Sequence, residues 1–231
     1  MKTKMQIETV EVDGLLFYCR KGTSDKKAIK EVVERKAYFK KDFSIQPGEK
    51  WLDFGGNIGA FTVLAASMGA KVDVFECDPL SCMMIEDNLK LNNLNANIHQ
   101  KAVTIKNGHA HMSISKTGQF WRNSLIRNWG GGLIKVQTVD FRDYLTPEHC
   151  VKMDIEGSEM EVIENWPFQT KKLVFEWSFD MDDNIDRYRA AVQKLRGIYP
   201  NIKADSIAEK HKVWQKSWFP PCKNVWCYAN N

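Results

Sequence analysis

Residues 51–62 read WLDFGGNIGAFT. An apolar run closes on Asp53, glycines fall at 55, 56 and 59 around Asn57, and the chain then turns apolar again. A short strand-forming run that breaks into glycine and resumes with helical character reads as strand, loop and helix. Glycines give such a loop positive φ and let a ligand approach the backbone, while the first N–H groups of the helix face the crevice beyond the strand. Taken alone, the loop fits a dinucleotide pyrophosphate site or a plain tight turn. The spacing argues for something else. These glycines do not make G-x-G-x-x-G, and the acid two residues before Gly55 would repel a pyrophosphate and attract an ammonium or a sulfonium.

The same alternation continues outward. KWLDFG (50–55), KVDVFEC (71–77) and NIHQKAV (97–103) read as strands, with IGAFTVLAASMG (58–69) and PLSCMMIEDNLKLNNL (79–94) as the helices between them. Further on, CVKMDIE (150–156) and KLVFEWS (172–178) are strands, each followed by a helical stretch, GSEMEVIENW (157–166) and NIDRYRAAVQKLRGIYP (184–200). Short apolar strands joined by crossover-length helices predict a parallel sheet covered on both faces, with the ligand crevice past the strand carboxyl ends. HAHMSIS (109–115) and LIKVQTVD (133–140) break the rhythm and alternate like an antiparallel hairpin. Upstream, Ser24 opens an amphipathic helix expected to run through KKAIKEVVERKAYFKK, and near the carboxyl end IKADSI (202–207) and NVWCYAN (224–230) supply an antiparallel edge. The expectation is one α/β domain over residues 1–231: a strand and helix cap over 1–49, then a Rossmann-like core over 50–231 with an insertion at about 108–140.

Composition narrows the classes. With 231 residues, 43% hydrophobic and 27% charged, the chain is long enough for a continuous core and is not of disordered or fibrous type. No apolar run reaches the roughly 20 residues that span a bilayer, and the polar start predicts a cytoplasmic protein. The six cysteines form no CxxC pair and read as reduced thiols. A net charge of +4 does not by itself call for nucleic acid. Basic residues do crowd 20–41 (Arg20, Lys26, Lys27, Lys30, Arg35 among them), and the interleaved acids make this a solvated helix face before a phosphate site.

The second strand ends VFECDP, where Glu76 can accept from both ribose hydroxyls of a nucleoside, and Asp78 before Pro79 caps the next helix. D-x-G-x-N-x-G at 53–59, FExDP at 75–79 and above all KMDIEGSEMEVI at 152–163 resemble the FkbM-type S-adenosylmethionine-dependent methyltransferases. That resemblance spans roughly residues 30–180. It implies a Rossmann-like class I methyltransferase fold, a mostly parallel seven-stranded sheet with a reversed last strand, S-adenosylmethionine as cofactor, and O-methylation of a sugar or other small-molecule hydroxyl. Gly56 stands where the family usually has alanine, and Glu-Cys-Asp replaces Glu-Pro-Asp. Asp53, Gly55, Asn57, Gly59, Glu76, Cys77 and Ala102 form the expected cofactor set.

Methyl transfer from a sulfonium is an in-line displacement, so the protein must align a nucleophile, exclude water and take a proton. Alternation in CVKMDIE puts Lys152, Asp154 and Glu156 on one face, and three ionisable groups there need a cavity or one another. Asp154 is the expected base, Lys152 its electrostatic partner, and Glu156 either a catalytic group or an organiser of the cofactor loop. Glu176, ending the neighbouring strand, can share the proton or bind the acceptor. A magnesium ion between Asp154 and Glu176 is the less favoured reading, since no further carboxylate is placed to complete its shell. Glu159 in the first turn of a helix is explained by the macrodipole. His109 and His111 share a strand face that reads as exposed, and Trp121, Arg122, Asn123, Ser124, Arg127 and Trp129 have the composition of a lid. The acceptor is expected to be a small molecule or glycan, with RNA ribose the alternative and a non-catalytic nucleoside-binding module a third. The sequence leaves the oligomeric state open.

Overall fold

The computed structural model describes residues 6–40, 43–116, 123–179, 185–204 and 223–228. A seven-stranded sheet forms the centre. It is built from β3 (Lys50–Phe54), β4 (Lys71–Glu76), β5 (Asn97–Gln100), β9 (His149–Met153), β10 (Lys172–Trp177), β11 (Asn201–Ala204) and β12 (Lys223–Tyr228), in the order β11-β12-β10-β9-β3-β4-β5. β5, β4, β3, β9 and β10 pair in parallel, and β12 runs antiparallel to both β10 and β11. The last strand is therefore the reversed one and lies inside the sheet, leaving β11 at the edge.

Period-two alternation sorts the strand side chains between two cores. Trp51, Val72, Val74, Cys150, Val174 and Trp226 pack on one face with helices α2 (Ala60–Ser67) and α3 (Pro79–Leu91). Leu52, Phe54, Phe75, Val151, Met153, Phe175, Trp177 and Val225 pack on the other with α4 (Glu159–Glu164) and α5 (Ile185–Arg196). Both faces of the sheet are thus covered, as its near-continuous apolar strands require. Among the described residues no helix is long and apolar enough to cross a membrane.

A hairpin, β1 (Ile7–Val12) and β2 (Leu15–Arg20), turns at Asp13-Gly14, both at positive φ. It leans on α3, where Asn88 Oδ1 and Asn92 Oδ1 accept from the Tyr18 and Leu16 N–H groups at 2.7 and 2.9 Å. The long helix expected through residue 41 is shorter: α1 (Asp25–Ile29) continues as one π turn over Lys30–Glu34, and Lys36 then takes φ +53°. Ser24 stands at the N-cap without a side-chain cap bond. Arg20 does not belong to the solvated basic face, because it is buried against Asp25 through two charge-assisted hydrogen bonds of 2.7 and 2.9 Å.

Two other expected elements differ. The strand expected over 97–103 breaks at Lys101, and its second half, β6 (Ala102–Thr104), leaves the main sheet to pair with β8 (Gly130–Asp140). With β7 (Gly108–Ser115) these make a separate three-stranded sheet, so the insertion begins at 102. The strand expected over 150–156 ends at Met153, which puts Asp154 and Glu156 in the loop beyond it. Trp121, Arg122, Asp180, Asp182, Asp183 and Cys222 lie outside the described residues.

Candidate active site

The site begins in the register of the two central strands. Asp53 on β3 stands opposite Lys152 on β9, and both point to the α2 face. Both side chains are buried, and Lys152 Nζ lies 3.1 Å from Asp53 Oδ1. The other Asp53 oxygen accepts from the Thr62 hydroxyl of α2 at 2.6 Å, while Lys152 Nζ donates to the Gly55 carbonyl at 2.6 Å. Burial lifts the Asp53 carboxyl above its usual range, and Lys152 and Thr62 pull it back only in part. Burial also disfavours the Lys152 ammonium, but Asp53 and Asp154 outweigh it and hold the lysine charged. The lysine thus ties the acid to the glycine loop.

The loop is shaped by its neighbours. Gly55 has φ +84°, and a Cβ there would sit 1.8 Å from the Asp154 carbonyl oxygen, so no other residue fits. Asn57 also takes positive φ, and its N–H donates to Glu76 Oε2 at 2.8 Å. The Asp78 N–H donates to Glu76 Oε1 at 2.8 Å, while the Asp78 carboxylate caps α3 through the Leu80 N–H at 3.1 Å. Burial pushes the Glu76 carboxyl up to about 7 despite these bonds. A cleft opens here, with Glu76, Cys77, Lys101, Ala102, Val103, Met112 and Leu125 in its lining.

Asp154 forms the floor where this cleft meets a second one. The second is lined by Lys27, Glu31, Tyr38, Lys152, Glu176 and Asn224, and the two share Gly55, Asn57, Asp154 and Glu156. Asp154 Oδ2 accepts from the Tyr38 hydroxyl at 2.8 Å, whereas Asp154 Oδ1 is buried with no hydrogen-bond partner among the described residues. Glu156 holds φ +51°, a strained choice for a long side chain and one found where geometry serves a site. Its carbonyl accepts from the Ser124 hydroxyl at 2.7 Å, and Asn123 reaches Asp78 at 3.4 Å, so the part of the insertion between β7 and β8 borders the first cleft.

All the expected cofactor and catalytic residues except Gly59 therefore line these clefts or, like Asp53, stand directly behind them. Gly59 starts α2 at φ +86°, backed by Ile85. Glu159 faces inward, accepting from the Gly157 and Ser178 N–H groups at 2.8 and 2.9 Å, with its carboxyl raised to about 7 by burial; it clasps α4 to the end of β10. His109 and His111 are exposed on β7 and line neither cleft. Among the described residues no three His, Cys, Asp or Glu side chains gather as metal ligands. Tyr38 and Asn224 were not legible in the sequence, since each meets its partner across a long chain separation, and Thr62, though only 9 positions from Asp53, sits in an apolar helical run with no spacing that announces the contact.

A crevice past the carboxyl ends of a parallel sheet, a glycine loop after the first core strand, a buried glutamate closing the second and a reversed last strand define a class I methyltransferase fold. A family model, the methyltransferase FkbM domain, matches residues 53–199, and the chain belongs to that family. No curated protein matches it in sequence. Among solved structures, M. jannaschii TYW2 in complex with AdoMet is similar at TM-score 0.52 and 18% identity, covering 98% of this chain and 86% of that one. A putative transferase from Pyrococcus horikoshii, PH0793, is similar at TM-score 0.53 and 13% identity over 97% and 72% of the two chains. P. horikoshii TYW2 in complex with MeSAdo follows at 0.51 and 13%, over 96% and 69%. The protein is an S-adenosylmethionine-dependent methyltransferase.

The site suits that cofactor. Val103, Met112 and Leu125 offer apolar walls to a purine, and Glu76 offers a carboxylate to ribose hydroxyls. Asn57 Oδ1, buried without a hydrogen-bond partner among the described residues, is an acceptor of the kind that a cationic donor end calls for.

Proposed function

We propose that the protein methylates a hydroxyl of a sugar or of another small-molecule or glycan acceptor, with Asp154 as the general base. One observation carries this reading. At the junction of the two clefts a carboxylate has one oxygen tied down by Tyr38 and the other without a hydrogen-bond partner among the described residues. When bound, the sulfonium cofactor supplies an electrophilic methyl group and departs as a neutral thioether. Asp154 Oδ1 would take the proton of the acceptor hydroxyl as that oxygen is methylated. Glu76 holds the ribose end, Lys152 fixes the Gly55 carbonyl that borders both clefts, and Ser124 fixes the Glu156 carbonyl. Glu176 and Glu156 act as acceptor contacts, and the whole chain works as one methyltransferase domain.

Support for an uncharged polyol over a phosphorylated acceptor comes from the second cleft. Among the described residues its lining carries Glu31, Asp154, Glu156 and Glu176 beside Lys27 and Lys152, the latter paired with Asp53. RNA is the second reading, favoured by the exposed Lys26, Lys30 and Arg35 next to Lys27 at the rim. The five cysteines described are all free thiols, in keeping with a cytoplasmic home. The deciding experiment incubates the protein with labelled S-adenosylmethionine and a panel of glycans, nucleotide sugars and RNA, with and without chelator. Methyl incorporation only into RNA would overturn the sugar assignment. Asp154→Asn should keep cofactor affinity and lose most turnover, and a variant methylating at the parent rate would remove Asp154 as base.

A further inference from the structure

Tyr38 lies outside residues 53–199, the stretch that the family model matches, yet it makes the hydrogen bond that the described residues give the Asp154 side chain. We propose that Tyr38 is the positioning residue for Asp154: it holds Oδ2 so that Oδ1 is the oxygen presented to the acceptor. This rests on Asp154 being the base.

The tyrosine is itself held on every side. Its carbonyl accepts from Trp226 Nε1 at 3.0 Å, and the preceding Ala37 carbonyl accepts from Asn224 Nδ2 at 3.2 Å, so β12 anchors the segment from beneath. Its ring meets Phe61 of α2 edge-on, with centroids 6.0 Å apart, and Lys152 Nζ stands 5.4 Å from its centroid. Packing accounts for the ring and leaves the hydroxyl to be explained. That hydroxyl is buried next to Asp154 and close to Glu176 and Asp53, and burial together with these carboxylates raises its ionisation well above the usual phenol. It therefore remains a proton donor throughout the working range, and a donor can only bind the carboxylate, never compete with it for a proton.

A carboxylate whose two oxygens were equally unconstrained would rotate about its terminal bond, which has a broad two-fold profile. Fixing one oxygen removes that freedom at the atom where a misplacement of about 1 Å costs roughly a hundredfold in rate. The hydroxyl reaches Asp154 from a turn 116 positions earlier in the chain. Residues 36–40 and β12, which the family model does not cover, thus complete the catalytic carboxylate's setting.

Tyr38→Phe separates the hydroxyl from the ring. Calorimetry with S-adenosylmethionine and steady-state kinetics on whichever acceptor the panel identifies should show cofactor Kd and acceptor KM within about twofold of the parent and kcat lower by roughly ten- to a hundredfold. A merely structural tyrosine would tolerate phenylalanine, so parent-like kcat in Tyr38→Phe, with Asp154→Asn impaired, overturns the proposal and leaves the function intact. Loss of cofactor binding in Tyr38→Phe overturns it as well, by moving the residue into the cofactor site. Full activity in Asp154→Asn would bring down the assignment of the base and this inference together.

Discussion

Replacing Lys152 by methionine keeps most of the side-chain volume and removes one charge from a pair that water does not reach: Lys152 is 3% exposed and Asp53 0%. The variant leaves Asp53 with the Thr62 hydroxyl alone and frees the Gly55 carbonyl. Breaking a buried pair by deleting one partner costs about 3–5 kcal/mol, because the remaining charge is uncompensated. For a chain of this size that is a fall in Tm of roughly 6–20 °C. Asp53 can relieve the strain by binding a proton, since burial already raises its carboxyl above the ordinary value and the loss of the lysine raises it further. The folded state then holds a proton that the unfolded state has released, so the variant is most stable in acid and loses stability as pH climbs through the raised folded-state value. Thermal unfolding followed by circular dichroism at pH 5, 7 and 8 should therefore show a deficit that widens with pH. Adding Asp53→Asn, which takes away the orphaned charge, should recover about half of it. A loss below about 1 kcal/mol at pH 8, or no recovery in the double variant, would refute the view that the two strands are joined by a compensated charge pair.

Two further outcomes follow from the cofactor side. Glu76 has its carboxyl at about 7 and accepts best when ionised, so S-adenosylmethionine affinity should weaken roughly tenfold between pH 8 and pH 6, measured by calorimetry, and Glu76→Gln should bind weakly and without that dependence. Gly55→Ala puts a methyl group 1.8 Å from the Asp154 carbonyl at φ +84°, and should cost on the order of 3 kcal/mol in thermal unfolding as well as disturbing the base; parent-like stability would show that the loop can move aside.

Much of this could be read from the residues alone because it is local. The glycine loop after WLDF, the alternation of short apolar strands with helices, the Asp78 cap before Pro79 and the hairpin of the insertion depend on nearest-neighbour sterics and on periods of two and 3.6, and these are written along the chain. The KMDIEG stretch also declares its family. What went astray was set by distant partners. Alternation alone carried the strand at 150 through to Glu156, whereas the sheet releases the chain at Met153; NIHQKAV reads as one strand, whereas β8 captures its second half. One nearby pairing escaped as well: Arg20 reads as a surface charge but is buried on Asp25, 5 positions on, because the turn between them folds the carboxylate back.

The sequence by itself determined the order of elements, the cofactor class and the set of acids, since each rests on residue type at short spacing. Only the tertiary structure decided where those acids sit and what each is paired with. The parallel register of β3 and β9 turned Asp53 inward onto Lys152, and residues 36–40 brought a tyrosine hydroxyl to Asp154. The physical reason is that burial and charge pairing are properties of what surrounds a group in space, and a carboxylate in a sequence carries no mark of which cation or hydroxyl the fold will place beside it.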